Sequence, residues 1–116
     1  DACDYCKMSI SEGNFAAELV TSRGRVYKFD DVKCLLGYVA EQENMEGNTY
    51  YVADYQKENQ LIEADQAWYV KHESFHSPMG GNIAAFPSKE AATQKAQELQ
   101  VETQQWKDIS TKIQPK

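Results

Sequence analysis

The sequence predicts an α+β fold: two tandem, degenerate ββαβ repeats packed as one compact unit, with a C-terminal helical extension. Short β-branched and aromatic runs alternate with apolar residues at helical spacing, and glycine-rich turns separate them. The order of these runs is similar in residues 1–56 and 57–116. Because neither half could bury much apolar surface alone, we expect all strands to share one sheet covered by helices.

The first half reads as strand, strand, helix, strand. Phe15–Thr21 and Val26–Phe29 are predicted strands of a β-hairpin. Asp30 and Asp31 follow at once, and carboxylates are favoured at helix N-termini. Apolar residues then recur at helical spacing through about Gln42, and Thr49–Tyr55 is rich in strand-forming residues. This half therefore predicts a ββαβ unit.

The second half repeats the order after a polar connector, Gln56–Gln66. Ala67–His72 and Ile83–Phe86 are predicted strands, and Ser88 is the predicted N-cap of a second helix. The tail carries apolar residues at helical spacing, which predicts a last helix that packs back on the domain (Trp106, Ile109, Ile113).

Sulfur is concentrated in a polar stretch at the start of the chain, the N-terminal sulfur segment (residues 3–8), which holds Cys3, Cys6 and Met8. A core uses sulfur as scattered filler, so this grouping favours an exposed metal site. Thiolate and thioether donors together suit Cu(I). We expect Met79, in the glycine-rich methionine loop (residues 77–82), to complete the site, with Cys3 or His76 as further donors.

Other sites stay open at this point. Cys3 and Cys6 match the spacing of a redox dithiol, although no strand–helix context surrounds them. A zinc site would need two further ligands, and Cys-x-x-Cys-Lys attaches haem in rare cases. A purely structural module, in which the sulfur atoms bind nothing, is also possible. Cys34, on the first predicted helix, is expected to be a small buried hydrophobic residue.

Composition limits the class of protein. The net charge of −6 and pI near 4.8 argue against a nucleic-acid binder. No apolar run reaches the ~20 residues that a membrane span needs. The chain starts at Asp1 without a leader, which is compatible with an exported protein whose leader has been removed.

Three motifs together resemble the NosL family: the N-terminal sulfur segment, Phe29-Asp30-Asp31, and the methionine loop followed by Ala84-Ala85-Phe86. The resemblance runs from Cys3 to about Leu99. It implies a non-enzymatic, exported lipoprotein that binds Cu(I) and serves the maturation of nitrous oxide reductase in denitrification. It would be periplasmic, anchored by a lipid upstream of Asp1, and would exchange copper with a donor and a client. The family's Cys-x-Met and Ser-Pro-Met carry over to Cys6, Met8 and Met79.

Overall fold

The secondary structure follows the predicted order closely. A computed structural model describes residues 2–5, 7, 13–41, 47–77 and 80–113. Its elements are β1 (Ala17–Val20), β2 (Val26–Phe29), α1 (Val32–Ala40), β3 (Thr49–Asp54), β4 (Lys57–Glu63), β5 (Trp68–Lys71), β6 (Ile83–Phe86), α2 (Lys89–Leu99), β7 (Gln104–Gln105) and α3 (Trp106–Ile113). Short 3-10 turns cover Gly13–Phe15 and Glu73–Phe75. The α+β prediction is confirmed.

One mixed sheet contains the strands of both halves. Its order is β2-β1-β3-β6-β5-β7, and β4 pairs with β3 off this path. β3 connects the halves, because it pairs antiparallel with β4 and, at Asp54, in parallel with Ala85 of β6. In the first half β1 lies between β2 and β3 and is antiparallel to both, and in the second half β5 lies in the same way between β6 and β7. The shared sheet was predicted correctly; the tandem-repeat interpretation, with its boundary at residue 56, stays a prediction.

The prediction of a polar connector over Gln56–Gln66 was wrong. Lys57–Glu63 forms β4, which pairs antiparallel with β3 around a bulge near Ala53. The sequence did not indicate this strand, because a strand with one solvent-exposed face needs few apolar residues. Leu61 is 45% exposed whereas Ile62 packs against the core, so a single apolar position was enough.

Both predicted helix caps are present. The Asp31 carboxylate accepts a hydrogen bond from the Lys33 backbone N–H at the start of α1, at 3.0 Å. The Ser88 hydroxyl accepts one from the Ala91 N–H at the start of α2, at 3.2 Å. These bonds satisfy backbone donors that have no partner within the helix. Local side-chain chemistry therefore sets where both helices begin.

The sheet carries a core on each face. Tyr69 and Ala85 belong to the larger cluster, whereas their neighbours Val70 and Ala84 belong to the smaller one. Successive side chains of a strand point to opposite faces, so the clusters lie on opposite sides. Residues of α1 and α3 pack in the larger cluster and those of α2 in the smaller. The C-terminal helix thus packs back as predicted, and no helix in the described ranges is long and apolar enough to cross a membrane.

Candidate metal centre

The described part of the N-terminal sulfur segment lies beside β2 at the edge of the sheet. The backbone N–H of Asp4 donates to the carbonyl oxygen of Lys28 at 2.7 Å, and the Asp4 carboxylate accepts from the Lys28 N–H at 2.8 Å. The Lys7 N–H donates to the Cys3 carbonyl at 2.9 Å, which closes a tight turn. Lys7 has a φ of 71°, in the left-handed region. The described residues of the segment therefore form a turn beside β2.

Tyr5 joins the same segment to α1. Its ring lies over Gly37, where a Cβ atom would come within 2.9 Å of the Tyr5 Cζ. Its hydroxyl donates to the Glu41 carboxylate at 3.1 Å. That hydrogen bond, followed by the charge of Glu41 and by burial, raises the pKa of Tyr5. Gly37 thus leaves room for the ring, because a Cβ atom at this position would overlap it.

Cys3 does not lie where the sequence suggested. We expected the sulfur segment to be exposed, but Cys3 is 0% exposed and belongs to the larger core cluster with Phe29 and Leu35. The reason is the pairing with β2, which turns Cys3 toward the core while Tyr5 remains 40% exposed. Cys34 is buried as predicted. A ligand role for Cys3 stays a prediction, and it now concerns a thiol that is buried among apolar residues.

The methionine loop is held at its base by paired hydrogen bonds. The Ser77 hydroxyl accepts from the Asn82 N–H at 2.6 Å, and the Asn82 side-chain oxygen accepts from the Ser77 N–H at 3.0 Å. The Gly80 N–H donates to the Ser77 carbonyl at 3.0 Å. Gly80 and Asn82 both have positive φ values, 78° and 56°. The loop therefore begins and ends at one closely bonded point.

The same loop is attached to the start of α1. The Ser77 hydroxyl donates to Oδ2 of Asp31 at 2.6 Å, and the Gly81 N–H donates to this oxygen at 3.3 Å. Asp31 is 0% exposed and Ser77 is buried. A Cβ atom on Gly81 would lie 2.6 Å from Oδ1 of Asp31, so only glycine allows this approach. We call Asp31, Ser77 and Gly81 the Asp31 clamp.

Both sulfur-bearing regions thus bind within one short stretch, from Lys28 in β2 to Asp31 at the start of α1. Asp4 binds at Lys28, and the methionine loop binds at Asp31. These anchors are three residues apart, so their Cα atoms are separated by at most ~11 Å. Cys6 and Met79 each lie two residues beyond an anchored residue, Asp4 and Ser77. The anchors at Lys28 and Asp31 therefore hold Asp4 and Ser77 near each other, while Tyr5 extends the N-terminal sulfur segment along α1 to Gly37 and Glu41.

Of the remaining predicted ligands, the structure describes His76 alone. Cys6, Met8 and Met79 lie outside the described residues. His76 is exposed, as expected, with a φ of 50° at the end of the Glu73–Phe75 turn. Within the described ranges, no group of three or more His, Cys, Asp and Glu side chains is placed to hold a metal ion. A metal site here would therefore depend on Cys6, Met8 and Met79.

Sequence reasoning missed the residues that anchor the two regions. Asp31 was recognised only as a cap, and Tyr5, Gly37 and Ser77 were given no role. A glycine inside an apolar helical run was an available signal, because such a glycine often marks a close contact. The Asp31–Ser77 contact joins residues 46 apart, so no local pattern reveals it.

The chain is similar to known proteins in both fold and sequence. The crystal structure of the copper chaperone NosL from Shewanella denitrificans matches with a TM-score of 0.77 and 25% sequence identity, covering 90% of this chain and 86% of that one. No curated protein matches the chain. The family model described as NosL matches residues 1–114. Because that match spans nearly the whole sequence, this protein belongs to the NosL family.

Proposed function

We propose that this protein is a Cu(I)-binding metallochaperone in which Cys6, Met8 and Met79 hold the ion. Cys3 and His76 are candidate additional donors. Family membership supports the proposal, as does the structural similarity to a protein described as a copper chaperone. The observation that carries it is the shared anchoring at Lys28 and Asp31. These two anchors lie at most ~11 Å apart, which supports a site shared by two regions that are far apart in sequence.

The donor set suits transfer better than storage. One thiolate supplies most of the affinity for Cu(I), and two thioethers add soft, neutral donors. A low coordination number leaves room for a ligand from the receiving protein, so the ion can pass through a shared intermediate. Binding must displace the thiol proton of Cys6, so Cu(I) affinity should fall as pH decreases.

The partners follow from the family resemblance and are part of the proposal. The client would be nitrous oxide reductase during assembly of its copper centres in denitrification, and a separate protein would donate the copper. The protein would act in the periplasm, attached to the membrane by a lipid upstream of Asp1. Transfer of Cu(I) from the loaded protein to copper-free reductase, followed by the reductase's absorbance, tests this client. Free Cu(I) at the same concentration is the control.

Cu(I) titration against a colorimetric competitor tests the site. We expect Cys6→Ala to abolish competitive binding and Met79→Ala to weaken it. Cys34→Ala is the matched control, because Cys34 is a buried thiol on α1 and should not contribute. Wild-type affinity in Cys6→Ala would contradict the assignment, as would a loss in Cys34→Ala without loss of stability.

The alternative is a thiol-disulfide oxidoreductase that uses Cys3 and Cys6. Reactive cysteines need partial exposure, and the complete burial of Cys3 disfavours this reading. The alternative predicts that wild-type protein reduces insulin disulfides without metal and that Cys3→Ser and Cys6→Ser both lose this activity. We expect no insulin reduction by the wild type and no catalytic step in its function.

A further inference from the structure

Asp31 makes more contacts than a helix cap requires. Capping needs one side-chain oxygen, and Oδ1 of Asp31 fills that role by accepting from the Lys33 N–H. Ser88 caps α2 with a single hydroxyl at an exposed position. Asp31 instead is fully buried, and burying a carboxylate is costly unless its oxygens are hydrogen-bonded. The second oxygen, Oδ2, is not needed for the cap and therefore requires hydrogen-bond donors from elsewhere in the fold.

That oxygen binds both sides of the methionine loop. Ser77 donates to Oδ2 from before residues 78–79, and Gly81 donates to it from after them. The Ser77–Asn82 pair closes the loop just below this point. The base of the loop is therefore buried and hydrogen-bonded at both Ser77 and Gly81. These bonds fix where the loop leaves the fold, and binding residues are often carried on loops that a rigid scaffold positions.

We propose that the Asp31 clamp positions Met79 for Cu(I), which makes Asp31 and Ser77 positioning residues of the metal site. This inference rests on the proposed function. An unanchored loop would have to be ordered when the metal binds, and that ordering would weaken affinity. The clamp orders the loop before the metal binds, so this ordering does not reduce the affinity. Because Asp31 follows Lys28 by three residues, it also sets the spacing between the methionine loop and the N-terminal sulfur segment.

Methyl NMR of protein labelled with [methyl-13C]methionine tests the inference. The chain has three methionines, Met8, Met45 and Met79, so each methyl signal can be assigned by a single Met→Leu variant. In the wild type under reducing conditions, we expect Cu(I) to shift the Met8 and Met79 signals and to leave Met45 unchanged. Competitor titration of the same samples gives the affinity.

Two variants remove the clamp in different ways. Ser77→Ala deletes the hydroxyl, and Asp31→Ser keeps a good N-cap residue while its side chain is too short to reach the loop. In both we expect the Met79 signal to lose its response to stoichiometric Cu(I) and the affinity to fall roughly tenfold. The Met8 response should persist. Ser88→Ala removes a cap hydroxyl from α2 and is the matched control, with wild-type Cu(I) binding.

The outcomes separate the clamp from the proposed function. Wild-type affinity and a wild-type Met79 shift in folded Ser77→Ala and Asp31→Ser would overturn the clamp and leave the copper site standing. Equal weakening in Ser88→Ala would also overturn it, because the effect would then reflect stability alone. Failure of the wild type to bind Cu(I), or to shift any methionine signal, would instead overturn the proposed function.

Discussion

Gly37→Ala should lower the affinity of the protein for Cu(I) while changing its free energy of unfolding little. The new Cβ would lie 2.9 Å from Cζ of the Tyr5 ring and 3.0 Å from its hydroxyl oxygen. Atoms that close must move, and Tyr5 can move because it is 40% exposed. We therefore expect the ring to leave α1 and its hydrogen bond to Glu41 to break. The residue that follows Tyr5 is Cys6.

The effects on stability should nearly cancel. Replacing glycine by alanine inside a helix stabilises it by about 1 kcal/mol. Loss of the Tyr5 hydrogen bond costs about 0.5–1.5 kcal/mol. The free energy of unfolding should therefore change by less than ~1 kcal/mol. Cu(I) binding must then order one further backbone residue, at about 1–2 kcal/mol, which lowers affinity about 5- to 30-fold.

Urea unfolding and competitor titration measure the two quantities on the same samples. Tyr5→Ala provides the control, because without the ring Gly37→Ala should simply stabilise the protein by about 1 kcal/mol and change affinity no further. The pKa of Tyr5 in Gly37→Ala should fall back toward its ordinary value, since the Glu41 contact raises it. A Gly37→Ala protein that is about 1 kcal/mol more stable and binds Cu(I) like the wild type would refute this reasoning.

Two further predictions concern the core. Ile109→Ala should lower the free energy of unfolding, measured by urea denaturation, by about 2–5 kcal/mol, because Ile109 is 3% exposed in the larger cluster. Glu102→Ala, at an exposed position, is the control. A loss under ~1 kcal/mol in Ile109→Ala, or an equal loss in Glu102→Ala, would contradict the packing of α3. Burial raises the pKa of Tyr69, so the unfolded phenol ionises first and stability is lost as pH rises above about 10. Tyr69→Phe should be less stable by about 1–3 kcal/mol at neutral pH, because the Ala64 carbonyl loses its donor, and should lose stability less steeply above about pH 10. An unchanged alkaline slope in urea unfolding would contradict this.

Local signals predicted much of the fold. The hairpin strand Val26–Phe29 and the strand Ile83–Phe86 have the predicted bounds, and Asp31 and Ser88 are the caps expected. Each of these features depends on residues close together in sequence. β4 was missed because its pairing with β3 stabilises it, whereas its own composition is polar.

The site was less predictable because its geometry depends on distant contacts. Spacing grouped Cys3 with the other sulfur residues, but pairing with Lys28 of β2 turns Cys3 into the core. Tyr5 and Gly37 meet across 32 residues, and Asp31 and Ser77 across 46. Sequence indicated which side chains suit Cu(I). Only the fold shows that Asp4 and Ser77 are anchored three residues apart, at Lys28 and Asp31.

X-ray absorption at the copper edge of the Cu(I)-loaded protein tests most directly whether both loops bind one ion. We expect a first shell dominated by sulfur from Cys6, Met8 and Met79, and the loss of one sulfur scatterer in Met79→Ala. A shell of nitrogen and oxygen, or a sulfur shell identical in wild type and Met79→Ala, would contradict a shared site.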